Sequence, residues 1–152
     1  MPIATTIELL EMIDKCRMLD FNSYVDDRGS LVFSDTSPLI PFEIRRFYFL
    51  YNVPADKTRG KHAHRALQQV FLCLSGSVEI LLDDGNRRKK VILDNAEKGL
   101  YVCPMIWREL TNFTHDAICM VFASEKFDED DYIRDEKEFF EIVKKHKTRG
   151  LI

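Results

Sequence analysis

The chain has 152 residues, a net charge of −3, and a composition that is 45% hydrophobic and 11% aromatic. That is enough apolar material for one domain with its own core. The charge makes no case for nucleic acid or an anionic membrane as a partner, so an anionic ligand would need a local basic cluster. Cys16, Cys73, Cys103 and Cys119 form no C-x-x-C pair, and the last three sit in apolar runs. They read as small buried hydrophobes rather than redox or zinc residues. No basic-then-apolar leader opens the chain, and no run reaches the roughly 18 apolar residues of a membrane span. A cytoplasmic protein is the expectation.

Thr5 with Glu8 resembles a capping box, and Ile7, Leu10 and Ile13 or Met12 keep helical spacing, which predicts a short helix over 6–14, with an extended arm as the alternative. Residues 16–24 alternate loosely, as a strand would. Asp26-Asp27-Arg28-Gly29-Ser30 is a turn by composition, and residues 31–33 are a short strand after it. Pro38 and Pro41 bracket a loop. In the strand expected over 44–51, Arg46, Tyr48 and Leu50 share one face, and Arg45, Phe47, Phe49 and Tyr51 the other. Apolar strands follow at 70–74 and 78–82. Asp83-Asp84-Gly85-Asn86 signals a hairpin to 89–93. Further strands are expected at 100–103, 107–111 and 117–123. Short strands recurring every 8–12 residues indicate a sandwich or barrel. The acidic run 128–131 reads as a solvated lead-in to a helix over 136–147, in which Lys144, Lys145 and Lys147 trail, as the helix dipole favours.

The chemistry concentrates in Arg59-Gly60-Lys61-His62-Ala63-His64. Residues two apart on a strand face the same side, so His62 and His64 project into one space, beside Arg59. Two imidazoles and a guanidinium suit proton transfer or a metal. The line G-x-H-x-H-x4-Q-x6-G, from Gly60 to Gly76, resembles the first cupin motif. That resemblance implies a mainly β, cupin-type jelly roll, here with a C-terminal helix. Metal cupins carry Glu where this chain has Gln69, and His where it has Glu109. A neutral amide and a lost imidazole make a poor site for a divalent transition metal. His115 and His146 are the remaining histidines. Three readings therefore stand: a metal site, histidines with no chemical task, and metal-free acid/base chemistry. In the third, a neutral imidazole removes a proton next to a carbonyl, and Arg59, Tyr48 and His64 stabilise the enolate oxygen.

A closer resemblance rests on Ile40-Pro41-Phe42-Glu43-Ile44-Arg45-Arg46, on Arg59 to His64, on Gln69-Val70 with Cys73-Leu74-Ser75-Gly76-Ser77, on Gly99 to Val102 with Pro104 and Trp107-Arg108-Glu109, and on Ala123-Ser124-Glu125 with Asp128 to Arg134. Together these stretches are similar to the dTDP-4-keto-6-deoxyglucose 3,4-ketoisomerases of deoxyaminosugar biosynthesis. The resemblance spans about residues 24–140 of a single domain, 1–152, and leaves residues 1–15 as an extension. It implies a metal-free, cofactor-free homodimer acting on a dTDP-linked keto-sugar, with a ketone moving from C4 to C3 through an enediolate. It assigns the base to His62 and supporting roles to His64, Tyr48 and Arg59. Arg46 is implied for the diphosphate and Gln69 for the sugar, with Arg28 and Arg108 at positions that vary between enzymes making glucose-like and galactose-like products. Arg28 is similar to the galactose type and Arg108 to the glucose type, which leaves the C4 configuration open. The alternatives are a dTDP-sugar epimerase, a non-catalytic sugar-binding cupin and a metal-dependent cupin enzyme.

Overall fold

The computed structural model describes residues 12–149. The helix expected over 6–14 lies mostly outside the described residues; Met12–Lys15 (α1) is helical. The strand expected over 16–24 divides in two, β1 (Arg17–Asp20) and β2 (Asn22–Asp26). The break falls at Phe21, whose N–H donates to the Glu97 carbonyl at 2.8 Å. Beyond it, β2 turns away to pair with β3 (Gly29–Phe33) as a separate two-stranded hairpin. A short irregular turn, α2 (Thr36–Leu39), leads to β4 (Arg46–Tyr51).

Eight further strands complete two five-stranded sheets: β5 (Arg59–His64), β6 (Gln69–Ser75), β7 (Val78–Asp83), β8 (Arg88–Leu93), β9 (Lys98–Val102), β10 (Trp107–Thr111), β11 (Ile118–Ala123) and β12 (Tyr132–Ile133). One sheet has the order β1-β9-β6-β11-β4, the other β12-β5-β10-β7-β8. All pairings are antiparallel. This is the expected jelly roll. Its core lies between the sheets, filled by alternate residues such as Val78, Ile80 and Leu82 from β7 and Cys119 and Val121 from β11. All four cysteines are buried and unpaired.

The helix α3 (Glu136–Arg149) packs on the outside of the second sheet. Phe139 and Val143, four apart on one face of the helix, meet Ala63, Trp107 and Ile133 in a second apolar cluster. Gly85, at the hairpin turn between β7 and β8, has φ +87°, and a Cβ there would lie 2.8 Å from a Val143 methyl. Glycine satisfies both the turn and the close approach of the helix.

The acidic run is solvated over Asp128 to Asp130, as expected, but it does not lead straight into the terminal helix. Glu129–Asp131 is a 3₁₀ turn, and Tyr132–Ile133 then pairs with Ala63 and His64 of β5. That short strand carries the segment across the sheet edge beside the histidines before α3 begins.

Candidate active site

A cavity of about 530 Å³ opens between the sheets. From β4 come Arg46, Tyr48 and Leu50, the face the alternation predicted, while Phe47, Phe49 and Tyr51 point outward. From β5 come Arg59, Gly60 and His62, from β6 Gln69, and from β10 Arg108 and Leu110. Arg59 is three residues from His62, so strict alternation would put the two on opposite faces. A bulge reverses that. Arg108 pairs with His62 but Glu109 pairs with Gly60, which leaves Lys61 unopposed. Gly60 and Lys61 both take positive φ, +82° and +56°. The extra residue swings Arg59 back to the cavity side. A Cβ at Gly60 would come 3.0 Å from the Arg108 carbonyl, so only glycine seats this bend against β10.

His62 and His64 meet edge to face, with ring centroids 4.8 Å apart. His62 Nδ1 lies 3.0 Å from the Gly60 carbonyl. A carbonyl only accepts, so Nδ1 carries the hydrogen and Nε2 keeps its lone pair. Burial, reinforced by Arg108, pulls the His62 pKa down to about 4, so the ring is neutral at pH 7. His64 is fully buried and sits one layer deeper, behind His62 and the Tyr132 ring, and does not reach the cavity wall. Its pKa falls to about 2, again through burial first. Its contact with Asp131, 3.0 Å from Nδ1, is therefore a hydrogen bond from a neutral ring rather than an ion pair.

Across the cavity floor runs a chain of donors. Arg108 is buried, and its Nε and Nη2 donate to the Ile106 carbonyl at 3.1 and 2.9 Å. Its Nη1 donates to Gln69 Oε1. That fixes the amide, so Gln69 Nε2 donates to the Tyr48 hydroxyl at 3.0 Å. Tyr48 thus accepts from Gln69 and keeps its own hydrogen for a bound oxygen. Burial raises its pKa, which holds the phenol protonated. Arg46 Nε and Nη2 are buried without a hydrogen-bond partner among the described residues, and its guanidinium lies 5.7 Å from the Tyr48 and Phe127 ring centroids. Arg46, Arg59, Arg108 and Arg134 give the wall four guanidiniums, and among the described residues no carboxylate lines it.

Gln69 is committed between Arg108 and Tyr48, and Glu109 accepts from Trp107 Nε1 at 3.1 Å on the helix side of the sheet. Neither joins the histidines, and the described residues gather no group of three His, Cys, Asp or Glu suited to a metal. The donor set does not fit a cupin metal. Arg28 also stands apart. It lies exposed in the β2–β3 hairpin, paired with Asp26 at 2.6 Å, against a different depression. Sequence reasoning named neither Tyr132 nor Arg134 as site residues. Tyr132 stacks near both imidazoles, with centroids 4.9 and 4.3 Å away, and Arg134 lies over its ring while bonded twice to Glu129. The signal available was the aromatic and basic pair closing the acidic run.

Residues 14–144 match the family model described as FdtA, WxcM-like, C-terminal. The chain belongs to this family. It is 41% identical over 129 residues to the TDP-4-oxo-6-deoxy-alpha-D-glucose-3,4-oxoisomerase of Aneurinibacillus thermoaerophilus, covering 85% of this chain and 93% of that protein. Among solved structures, a 3,4-ketoisomerase from Helicobacter canadensis is 41% identical with a TM-score of 0.82, over 85% of this chain and 97% of that one. QdtA, a sugar 3,4-ketoisomerase from Thermoanaerobacterium thermosaccharolyticum solved with TDP, is 38% identical with a TM-score of 0.85, over 88% of this chain and 98% of that one.

Proposed function

We propose that this chain is a sugar-nucleotide 3,4-ketoisomerase that moves the ketone of TDP-4-keto-6-deoxyglucose from C4 to C3. The observation that carries the reading is His62: a neutral imidazole, pinned through Nδ1 to the Gly60 carbonyl, leaves Nε2 as the open nitrogen in a cavity walled by guanidiniums. The ketone at C4 acidifies the C3 hydrogen. His62 Nε2 removes it, and negative charge develops on the C4 oxygen as the enediolate forms. The Tyr48 hydroxyl, oriented by Gln69 and Arg108, donates to that oxygen. The C3 hydroxyl passes its proton to the C4 oxygen, which moves the enediolate charge to the C3 oxygen. His62 then returns a proton to C4, leaving a ketone at C3 and a hydroxyl at C4. Arg46 and Arg59 neutralise the diphosphate. The product is a 3-keto sugar ready for an amine-transferring enzyme.

A homodimer is the assembly that best fits the surface. Phe47, Phe49 and Tyr51 line the outer face of the edge strand β4, and Tyr24, Val25 and Leu31 are exposed on the hairpin. Such patches mark interfaces. The same hairpin carries Arg28, so a second copy is the route by which Arg28 would approach a sugar nucleotide. Sedimentation at micromolar concentration gives twice the chain mass if this holds.

The activity is tested by incubating the protein with TDP-4-keto-6-deoxyglucose and following carbon-13 NMR. A ketone signal moving from C4 to C3 is the expected result. A ketone that stays at C4 overturns the reading.

A further inference from the structure

The acidic run ends in a carboxylate with both oxygens committed. Asp131 Oδ1 accepts from the Ala66 N–H at 2.8 Å, and Oδ2 from His64 Nδ1 at 3.0 Å. Its backbone is fixed too. The Arg65 N–H donates to the Asp131 carbonyl at 2.9 Å, and the Asp131 N–H to the Asp128 carbonyl at 3.2 Å. Tyr132, the next residue, is in register with His64. A carboxylate held this firmly sets the orientation of its partner, as outer partners of ligating histidines do.

A carboxylate only accepts, so His64 carries its hydrogen on Nδ1 and its lone pair on Nε2, the nitrogen turned away from Asp131. That Nε2 is buried and has no hydrogen-bond partner among the described residues. Native proteins pair nearly all such atoms, so the exception points to a role. The charged groups facing the two rings are Arg108 from β10, Arg46 from β4, Arg134 after β12 and Glu129 in the turn. Glu129 is bonded to Arg134. The field around the base is thus dominated by cations, yet His62 must become one when it takes a proton. Among the described residues, Asp131 is the carboxylate hydrogen-bonded to this pair of imidazoles.

We propose that Asp131 is a positioning residue: through His64 it fixes the Nδ1–H tautomer and brings one negative charge behind His62, steadying the imidazolium formed when the C3 hydrogen is removed. The step it serves rests on the ketoisomerase reading. The tautomer does not, because it belongs to the resting protein.

Asp131→Asn is the sharp variant. Its single amide oxygen cannot accept from both Ala66 N–H and His64. With the oxygen on Ala66, the amide nitrogen faces His64, whose Nδ1 must turn acceptor and pass its hydrogen to Nε2. Nitrogen-15 NMR of histidine-labelled protein without substrate reads this directly. The wild type is expected to show Nδ1–H at His64 and Asp131→Asn to show Nε2–H. With TDP-4-keto-6-deoxyglucose, kcat is expected to fall about 10–100-fold, as for other lost outer partners, while KM barely moves. The acid limb of the rate profile moves to lower pH, because losing a nearby negative charge makes His62 a weaker base. Asp131→Glu, which keeps the carboxylate, restores part of the rate. TDP affinity by calorimetry serves as the folding control. A wild-type His64 protonated on Nε2 overturns the proposal, and so does an Asp131→Asn enzyme with unchanged kcat and acid limb. Should the wild type leave the ketone in place, the ketoisomerase reading fails by itself, and the wild-type tautomer still decides for or against Asp131.

Discussion

Ala63 and His64 are adjacent in the chain and lie in different surroundings, as do Trp107 and Arg108. Ala63 and Trp107 point outward, where Phe139 and Val143 of the C-terminal helix cover them in a dry apolar cluster. His62, His64 and Arg108 point inward, to a polar interior where each of the three donates to an assigned acceptor. At these positions one sheet therefore separates scaffold from chemistry by alternation. The helix side can be cut away by size, whereas the cavity side depends on which atom holds which proton.

The largest effect is expected on the cavity side. His62→Asn removes the base while keeping the side chain's approximate size, and kcat should fall about 10²–10⁴-fold with TDP binding retained. Steady-state kinetics and calorimetry measure both; a rate within a few-fold of wild type would move the base elsewhere. On the helix side, Phe139→Ala should destabilise the fold by about 3–5 kcal/mol, read as a lower denaturant midpoint. Activity per folded molecule should survive, because none of the residues in the apolar cluster of Phe139 lines the cavity. A loss of kcat without loss of stability would mean the two faces are coupled.

The smallest effects are on pH. His62 and His64 are held at about 4 and about 2, against 6.5 for a free imidazole. The unfolded chain gains protons on these rings below about pH 6.5, and the folded chain resists until far lower. Unfolding thus takes up protons in that window, and stability falls as pH falls below about 6.5. For catalysis His62 must be neutral, so kcat/KM should hold to about pH 5 and fall near 4. A half-maximal point near 6.5 would show that His62 is not shielded as the structure has it.

Much of this site could be read in the chain. The i, i+2 spacing of His62 and His64 and the alternation of Arg46, Tyr48 and Leu50 follow from strand geometry, and both sets of residues emerge on the expected faces. Arg59 reaches the cavity by a different route, because a bulge at Lys61 is a property of how β10 meets β5 and leaves no mark in periodicity. The two histidines looked alike in sequence. Depth separates them, since His64 lies behind Tyr132 and meets Asp131 across 67 positions of chain. Composition made the run 128–131 look solvated, and Asp128 to Asp130 are exposed, but four acids in a row say nothing of the short strand that follows and turns Asp131 inward. Arg28 matched the family by position alone, and within one chain its hairpin carries it away from the cavity.

The central claim is that His62 is the base that deprotonates C3 and, after its proton exchanges with solvent, reprotonates C4. Running the reaction in deuterium oxide with TDP-4-keto-6-deoxyglucose and reading the product by proton NMR tests it most directly. The account expects the wild type to place solvent deuterium at C4 of the 3-keto product, and His62→Asn to leave the C3 hydrogen in place with no label at C4. Deuterium appearing at C4 at the wild-type rate in His62→Asn would contradict it.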